Sequence, residues 1–311
     1  MTFSKYENGG KTFKKLRYMK DNYQLYLFIL PALLITIIFK YIPMYGTLIA
    51  FKDFNPLKGI IGSPWIGLEN FQTFISSPNF MDLLLNTLKL SLYGLIIGFP
   101  APIILALMIH RLKNVGLKKK IQLILYAPNF ISGVVIVGMI FIFLSPIGPI
   151  NSLITRFGGD TISFMTEPGY FRSIYILSGI WQGAGWASII YLAALSNVGQ
   201  DLLDAAVIDG ANIFQQIRYV DWPTIKPITV ILFILAAGNI MSIGFEKAYL
   251  MQTAMNITTS EIIPTYVYKI GIQMGEYGYS AAVGLFNSFI NVVLLLTVNE
   301  IVKKLNEGEG I

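Results

Sequence analysis

The chain has 311 residues, of which 54% are hydrophobic and 13% are charged, and its formal net charge is +6. This composition excludes an ordinary soluble domain, because so much apolar surface needs long charged faces to remain in water. The absence of cysteine excludes disulfides and a thiolate nucleophile, and the single histidine, His110, has no His or Cys companion for a metal site. In such a chain the placement of the positive charges matters more than their sum, so the charge does not predict nucleic-acid binding.

Six apolar runs, each near the ~20 residues that cross hydrocarbon, predict an all-α membrane protein with six transmembrane helices over residues 25–302. The first run follows a basic segment, residues 1–24, and is too long to be a signal peptide. The second run is predicted to be broken by Gly98, Pro100 and Pro102, and Gly94 and Gly98 have the GxxxG spacing that permits close helix packing. The predicted spans are Leu25–Phe51, Leu83–Ile109, Ile121–Leu144, Phe171–Leu195, Ile228–Phe245 and Ala281–Val302.

The distribution of Lys and Arg predicts the orientation of these spans. The segment His110–Lys120 carries five basic residues and no acid, which is typical of a cytoplasmic loop. Fifteen of the 23 Lys and Arg fall in the segments that lie on the same side in a six-span chain: residues 1–24, 110–120, 197–227 and 303–311. We therefore expect a multi-pass protein of the cell (plasma or inner) membrane with both termini, including the tail 303–311, in the cytoplasm.

The longest polar stretch in the hydrophobic second half is Asp201–Pro227, which reads DLLDAAVIDGANIFQQIRYVDWPTIKP. Four carboxylates and an arginine are costly in hydrocarbon, so the stretch is predicted to lie outside the bilayer. Its pattern predicts a helix, a turn at Asp209 and Gly210, and a second short helix, Ile213 to Tyr219, that ends before Pro223. The residues at the bend are small, so the surface of another protein could approach the backbone closely.

The spacing within this stretch resembles the EAA loop of ABC importer permeases. Asp204–Ala206 is followed after three residues by Gly210 and after nine more by Val220–Pro223. The family form is Glu-Ala-Ala, three residues, Gly, nine residues and Ile-x-Leu-Pro, so this chain has Asp for Glu, Val for Ile and Trp for Leu. The external segment WIGLENF and the stretches GWASIIYLAALSNVGQDLLDAA and LAAGNIMSIGFEKAYLM are similar to sugar permeases of this class, above all those for oligosaccharides or polysaccharides.

The resemblance implies a type I ABC importer permease fold whose loop, residues 197–227, carries a cytoplasmic coupling helix. In the family this helix docks on an ATPase subunit, so ATP hydrolysis is expected in a partner and the chain itself is not an enzyme. The expected complex holds a second permease as a heterodimer, an ABC ATPase dimer, an extracellular solute-binding protein and a carbohydrate substrate. In the bend Asp204 is expected to cap or hydrogen-bond and Gly210 to supply the turn. The residues expected to couple to the ATPase are Asp204, Ala205, Ala206, Asp209, Gly210, Ala211, Phe214 and Pro223.

The solute path is expected in the spans that flank this loop. Sugars are bound by aromatic rings and by amide or hydroxyl groups, and the spans carry such side chains. The opposite interpretation is that Asn and Ser bond helices together and that Trp marks the membrane interface. The resemblance assigns Gln182, Gly183, Trp186, Ala236, Asn239, Ile240 and Ile243 to the path, and the polar inventory adds Ser242, Asn287 and Asn291.

The sequence carries no sign of chemistry of its own. No stretch has the form GxxxxGK[ST], and no catalytic residues, metal site or cofactor are predicted. Glu246 and Lys247 are interpreted as an external or interfacial pair. Two alternatives remain open: an ion-coupled secondary transporter, which would not need an ATPase, and a structural or sensory membrane subunit, which would not need Trp186 and Asn239 for uptake.

Overall fold

The computed structural model describes residues 21–305 except Ser242, with the side chain of Leu305 also outside that description. Within these residues the chain is helical, and its β-structure is limited to an isolated bridge between Lys52 and Trp65. The chain divides into two compact units, Met1–Gly67 and Leu68–Ile311.

The first unit contains a long apolar helix, α1 (Tyr23–Phe51), with a mean hydropathy of 2.2 over its most apolar window. After α1 the chain turns back through a short helix, Gly59–Gly62. The carbonyl of Phe51 accepts hydrogen bonds from the amides of Ile66 and Gly67, and its ring stacks on Trp65 with centroids 5.5 Å apart. These contacts close the segment that follows α1 into a loop.

The second unit is built from eight main helices and several shorter ones. The main helices are α2 (Phe80–His110), α3 (Val115–Phe130), α4 (Gly133–Phe143), α5 (Pro168–Leu195), α6 (Gln200–Ile208), α7 (Ile213–Gly238), α8 (Phe245–Met251) and α9 (Tyr277–Lys304). The shorter helices are Glu69–Ile75, Pro149–Arg156, Ile257–Ser260, Ile263–Tyr268 and Lys269–Gln273.

Among the described residues, five helices are long and apolar enough to cross a membrane: α1, α2, α5, α7 and α9. The predicted third span is a bent pair instead, because α3 and α4 meet at an angle of 100°. Pro128 lies in the last turn before the bend, and the hydroxyl of Ser132 accepts a hydrogen bond from the amide of Val135 to cap α4. Six spans are therefore present if the bent pair is counted as one.

Two sequence predictions about prolines are wrong: α2 is continuous rather than broken, and the short helix predicted to end before Pro223 continues through it as α7. In both helices a π-helical stretch ends two residues before the proline: Gly94–Gly98 precedes Pro100, and Ile217–Asp221 precedes Pro223. The same arrangement occurs in α1, where Ile37–Tyr41 precedes Pro43. A π-turn widens the helix and so relieves the clash between a proline ring and the preceding turn. Helix α7 therefore runs without interruption from the predicted short helix into the predicted fifth span, and it ends at Gly238 rather than at residue 245.

Helix α5 lies at the centre of the packing in the second unit, against α2, α3 and α7, while α7 packs against α9. Gly185 makes the closest approach, since a Cβ atom there would lie only 2.0 Å from the carbonyl oxygen of Leu125 in α3. The two glycines of the predicted GxxxG pair differ in how closely they pack. A Cβ on Gly98 would lie 3.8 Å from Ile180 of α5, whereas Gly94 faces open space. The open space beside Gly94 belongs to the cavities between α2, α5 and α7.

Candidate functional site

The turn between α6 and α7 has the geometry that the sequence predicts. Gly210 has a φ of 76°, a left-handed conformation that favours glycine. Its amide donates to the carbonyl of Val207, and the amide of Ala211 donates to the carbonyl of Ala206, which together form a Schellman C-cap. On the other side, Asn212 caps α7: its side chain accepts from the Gln215 amide at 3.0 Å, and its amide donates to the Gln215 side chain at 2.7 Å.

Asp204 does not cap this bend as expected. Its carboxylate accepts a hydrogen bond from the amide side chain of Gln200 at 2.8 Å, one turn earlier in α6. The capping role belongs to Asn212, which the sequence analysis did not single out. The cue was nevertheless present, because Asn followed three residues later by Gln is a capping-box pattern.

We call residues 200–215 the elbow, and its exposed surface includes small residues and large apolar side chains. Ile208 is 85% exposed and Phe214 is 79% exposed. Asp204, Ala205 and Asp209 are also exposed, whereas Ala206 and Ala211 are half-buried. Exposed apolar side chains grouped at one turn are typical of a protein–protein contact. Pro223 is exposed as well and begins the second part of α7.

A buried ionic group, which we call the joint, lies directly after the elbow. Arg111, at the end of α2, donates through Nε and Nη2 to the same carboxylate oxygen of Asp221, at 2.8 and 2.6 Å. Asp221 is fully buried. Arg111 also donates through Nη1 to the side chain of Gln216 at 2.7 Å, and Gln216 donates to the carbonyl of Ala211 at 2.8 Å. The joint (Arg111, Gln216 and Asp221) therefore connects α2 to the turn of the elbow.

An open cavity of about 350 Å³ lies between α2 and α5, and a second, of about 320 Å³, lies between α2, α5 and the end of α7. Gly94 and Tyr175 line both of them. Of the predicted path residues, Gly183 lines the larger cavity. Those that line the smaller one are Ala236, Asn239, Ile240 and Ile243. The structure thus brings five of the predicted residues around one aromatic side chain, Tyr175, which the sequence analysis did not name.

Gln182 and Trp186 face the bend between α3 and α4. The side chain of Gln182 donates to the carbonyl of Ile131 at 3.1 Å, so it satisfies a backbone group that the bend leaves without a helical partner. Trp186 meets Phe130 edge to face at 5.4 Å and is 47% exposed. Both residues therefore support the bend, and Trp186 also presents part of its ring outward.

Asn287 and Asn291 of α9 hold the chain just after α7. Asn291 accepts from the amide of Met241 at 2.8 Å, and Asn287 donates to the carbonyl of the same residue at 3.2 Å. These bonds match the interpretation of intramembrane Asn as interhelical contacts. Ser242, the remaining predicted path residue, lies outside the described residues.

Glu246 and Lys247 do not form the pair expected from the sequence. The carboxylate of Glu246 lies 3.7 Å from the position that a Cβ on Gly133 would occupy. The ammonium of Lys247 instead donates to the carbonyl of Tyr175 at 2.9 Å and lies 4.9 Å from the centre of its ring. Helix α8 lies outside the five long apolar helices, and burial lowers the pKa of Lys247 from 10.5 to about 8.

The family model described as "Binding-protein-dependent transport system inner membrane component" matches residues 98–307, more than half of the chain. The chain belongs to this family. It is a permease, and the matched range contains the elbow, the joint and most of the residues that line the two cavities.

Curated relatives and solved structures agree with the family. The permease is 40% identical to "Protein LplB" of Bacillus subtilis over 97% of this chain and 95% of that protein. It is 43% identical to the "Polygalacturonan/rhamnogalacturonan transport system permease protein YteP" of the same organism, over 92% and 89% of the two chains. A crystal structure of a bacterial ABC transporter "involved in the import of the acidic polysaccharide alginate" matches with a TM-score of 0.86 and 37% identity, covering 94% of this permease and 99% of that chain.

These likenesses confirm the fold and the general function predicted from the sequence. The permease has the type I ABC importer fold, is a multi-pass membrane protein and serves carbohydrate import, with ATP hydrolysed in a separate subunit. A second solved structure, with 36% identity and a TM-score of 0.86, holds the alginate transporter with an alginate pentasaccharide-bound periplasmic protein. Membership of this family removes the alternatives of a secondary transporter and of a non-transporting subunit.

Proposed function

We propose that this permease forms half of the translocation pathway of an oligosaccharide importer and pairs with a second, similar permease as a heterodimer. An ATPase dimer binds the elbow, and an extracellular solute-binding protein delivers the substrate. The observation that carries this assignment is the elbow itself, where a glycine turn places small residues beside exposed apolar side chains such as Ile208 and Phe214. A rigid, exposed and apolar turn is the surface that a partner subunit needs for docking.

In this mechanism, closure of the ATPase subunits moves the elbow as a rigid lever. The Schellman cap at Gly210 and the capping box at Asn212 fix the angle between α6 and α7, which supports rigid movement. Ala205, Ala206 and Ala211 permit close approach of the partner, and Phe214 inserts its ring. Asp204 and Asp209 remain at the surface for polar contacts, and Pro223 lies where the movement enters the membrane-spanning part of α7.

The elbow and both termini belong to the cytoplasmic side in this proposal. The loop between α2 and α3 supports the orientation, because it carries basic residues on either side of Asn114, whose side chain caps α3. Lys118–Lys120 follow in the first turns of α3, and Arg111 belongs to the joint that contacts the elbow. Because Arg111 contacts Gln216, directly after the elbow, the basic loop and the elbow share one side of the membrane in this proposal.

The solute path that we propose runs along the two cavities. Gly183, Ala236, Asn239, Ile240 and Ile243 line it, together with Tyr175. Gln182, Trp186, Asn287 and Asn291 serve the same path indirectly, by fixing the bend after α3 and the chain after α7. A fixed backbone on either side of the cavities would keep their lining residues in register.

The substrate that we propose is an acidic oligosaccharide. The support comes from the names of similar proteins, one a permease for polygalacturonan and rhamnogalacturonan and one an importer of alginate, described as an acidic polysaccharide. The volumes of the two cavities, about 350 and 320 Å³, fall within the ordinary range of ligand sites.

Co-purification of the tagged permease followed by mass spectrometry tests the proposed assembly. We expect a second permease and an ATPase to be recovered with it. Labelling of a cysteine introduced at Asn212 tests the orientation without background, because the chain has no cysteine of its own. An elbow that a membrane-impermeant thiol reagent labels in intact cells would place it outside, and the coupling mechanism would then be wrong.

A further inference from the structure

Lys247 is a half-buried cation to which the described part of the chain offers no carboxylate. Its ammonium is held by the carbonyl of Tyr175 at 2.9 Å and by the face of that residue's ring. Among the described residues, no Asp or Glu oxygen lies within 4.0 Å of it. The neighbouring Glu246 does not compensate it, since its carboxylate lies against Gly133 at the start of α4.

A buried ammonium of this kind is costly. Removing an ion from water costs several kcal/mol. The carbonyl and the ring face of Tyr175 offset only part of that cost. The lowered pKa of Lys247 has the same origin, because burial disfavours the charged form. An anion beside the ammonium would offset the remainder, and two of its three N–H donors are available for such a ligand.

The position of the ammonium is at the edge of the proposed solute path. Tyr175, which holds it, lines both cavities. Gly179 lines the larger cavity, and a Cβ atom on it would lie 3.4 Å from the Lys247 nitrogen. Gly244, three residues before Lys247, lines the smaller cavity, and its carbonyl lies 3.4 Å from the Tyr175 hydroxyl. The absence of a side chain at Gly179 leaves the ammonium beside the cavity wall.

A second cation lies on the same face of α5. Arg172, Tyr175 and Gly179 follow the i, i+3, i+7 spacing that aligns side chains along one side of a helix. Arg172 donates to the side chain of Asn86 at 2.7 Å, while its Nε is buried with no hydrogen-bond partner in the described structure. One face of α5 thus presents an arginine and an aromatic ring, with the Lys247 ammonium beside them.

We propose that Lys247 binds a carboxylate of an acidic oligosaccharide as the sugar passes Tyr175, with Arg172 adding positive charge on the same face of α5. This assignment rests on the proposed function, because it requires that the two cavities form the solute path. An ammonium recognises a carboxylate by charge-assisted hydrogen bonds, and Tyr175 holds this ammonium at the wall of both cavities. Lys247 is then a specificity-determining residue rather than a structural support for α8.

Uptake of charged and neutral sugars by the complete transporter in proteoliposomes tests this role. The probes are trigalacturonate and an alginate trisaccharide, each measured beside its fully methyl-esterified form, which has the same sugar skeleton without the charge. In Lys247→Gln we expect uptake of the acids to fall about tenfold or more, since a hydrogen bond to a charged group is at stake, while uptake of the esters persists. Lys247→Arg keeps the charge and retains most of the acid uptake.

Lys269→Gln is the matched control, because Lys269 forms an ion pair with Glu261 at 2.8 Å, and we expect it to leave the acid-to-ester ratio unchanged. Equal loss of acid and ester uptake in Lys247→Gln would mean that the residue only supports the fold, and unchanged acid uptake would also overturn the proposal. If the wild-type transporter moves the esters but neither acid, carbohydrate import stands and the carboxylate site is wrong. If it moves none of the four sugars, the proposed substrate and path are wrong.

Discussion

The elbow and the joint are adjacent in sequence but opposite in environment. The elbow is exposed, and its apolar side chains, including Ile208 and Phe214, extend into solvent. The joint begins at Gln216, where Arg111 reaches across from α2, and Asp221 in its centre is fully buried. The chain therefore passes, within a few residues, from an exposed surface to a cluster of charges that the second unit encloses.

The difference indicates how a push on the elbow is transmitted. A short exposed turn held by caps can move as a rigid body. That movement reaches the membrane-spanning helices only if the end of the turn is attached to them. The joint provides that attachment, because Arg111 of α2 binds both Gln216 and Asp221 of α7. Displacement of the elbow must then move α2 and α7 together, and both helices line the cavities.

The largest effect is expected from breaking the joint. Asp221→Ala leaves the Arg111 guanidinium with no carboxylate in a half-buried position, and removal of one member of a buried ion pair costs about 3–5 kcal/mol. We expect a much lower yield of folded permease and a lower melting temperature in detergent. An unchanged melting temperature would mean that water reaches Arg111 and that the joint contributes little.

The double variant Arg111→Leu with Asp221→Leu separates stability from transmission. Replacing both charges by apolar side chains of similar size is often close to neutral for stability. We expect the double variant to regain most of the lost stability, yet to hydrolyse ATP in the complex without matching uptake. Full recovery of uptake would show that packing alone joins α2 to the elbow.

The next largest effect is expected at Gly210, in the elbow. A side chain there meets no neighbouring atom, but a φ of 76° costs an ordinary residue about 1–2 kcal/mol, and a β-branched residue adopts it least readily. Gly210→Val should insert normally and still lose coupling between ATP hydrolysis and uptake. Gly210→Asn is the control, because Asn tolerates this conformation and should keep uptake near the wild-type rate. Normal uptake by the valine variant would contradict the lever mechanism.

The elbow was predictable from the sequence because its structure is local. The turn at Gly210 follows from the spacing of the loop and from the preference of glycine for positive φ, and both can be seen within a dozen residues. The length of the polar stretch, with an apolar run on either side, predicted that it connects two spans. The misassigned role of Asp204 has a local cause too: Gln200, one turn earlier, competes for its carboxylate.

The joint was not predictable, because Arg111 and Asp221 are 110 residues apart and no local pattern connects them. The continuity of α7 was missed for a different reason. Pro223 has the signature of a helix boundary, and only the π-turn at Ile217–Asp221 shows that the helix absorbs it. Likewise, a polar inventory cannot distinguish Asn239, which lines a cavity, from Asn291, which bonds to the backbone of Met241.

A smaller effect is expected from the exposed ring of Phe214. Phe214→Ser should not change the stability of the permease, because the side chain is 79% exposed in the chain alone. It should weaken association with the ATPase by about 1–2 kcal/mol, or roughly five- to thirtyfold, as the loss of an aromatic anchor does. Phe157→Ser, at an equally exposed aromatic in the segment predicted to be external, is the control for surface effects. Equal binding by the two variants would place the ATPase contact elsewhere.

The smallest effect is expected at the cap of α7. Asn212→Ala removes the side chain that accepts from the Gln215 amide, and the loss of such a cap costs about 1 kcal/mol. Because the lost bond lies in the elbow and not in the joint, we expect the angle between α6 and α7 to loosen while α2 stays bound to α7. ATP hydrolysis per sugar transported should then rise modestly, with the melting temperature nearly constant. Asn212→Ser, which keeps a capping oxygen, should restore the ratio; if both variants behave alike, the lever owes its stiffness to the Schellman cap at Gly210 alone.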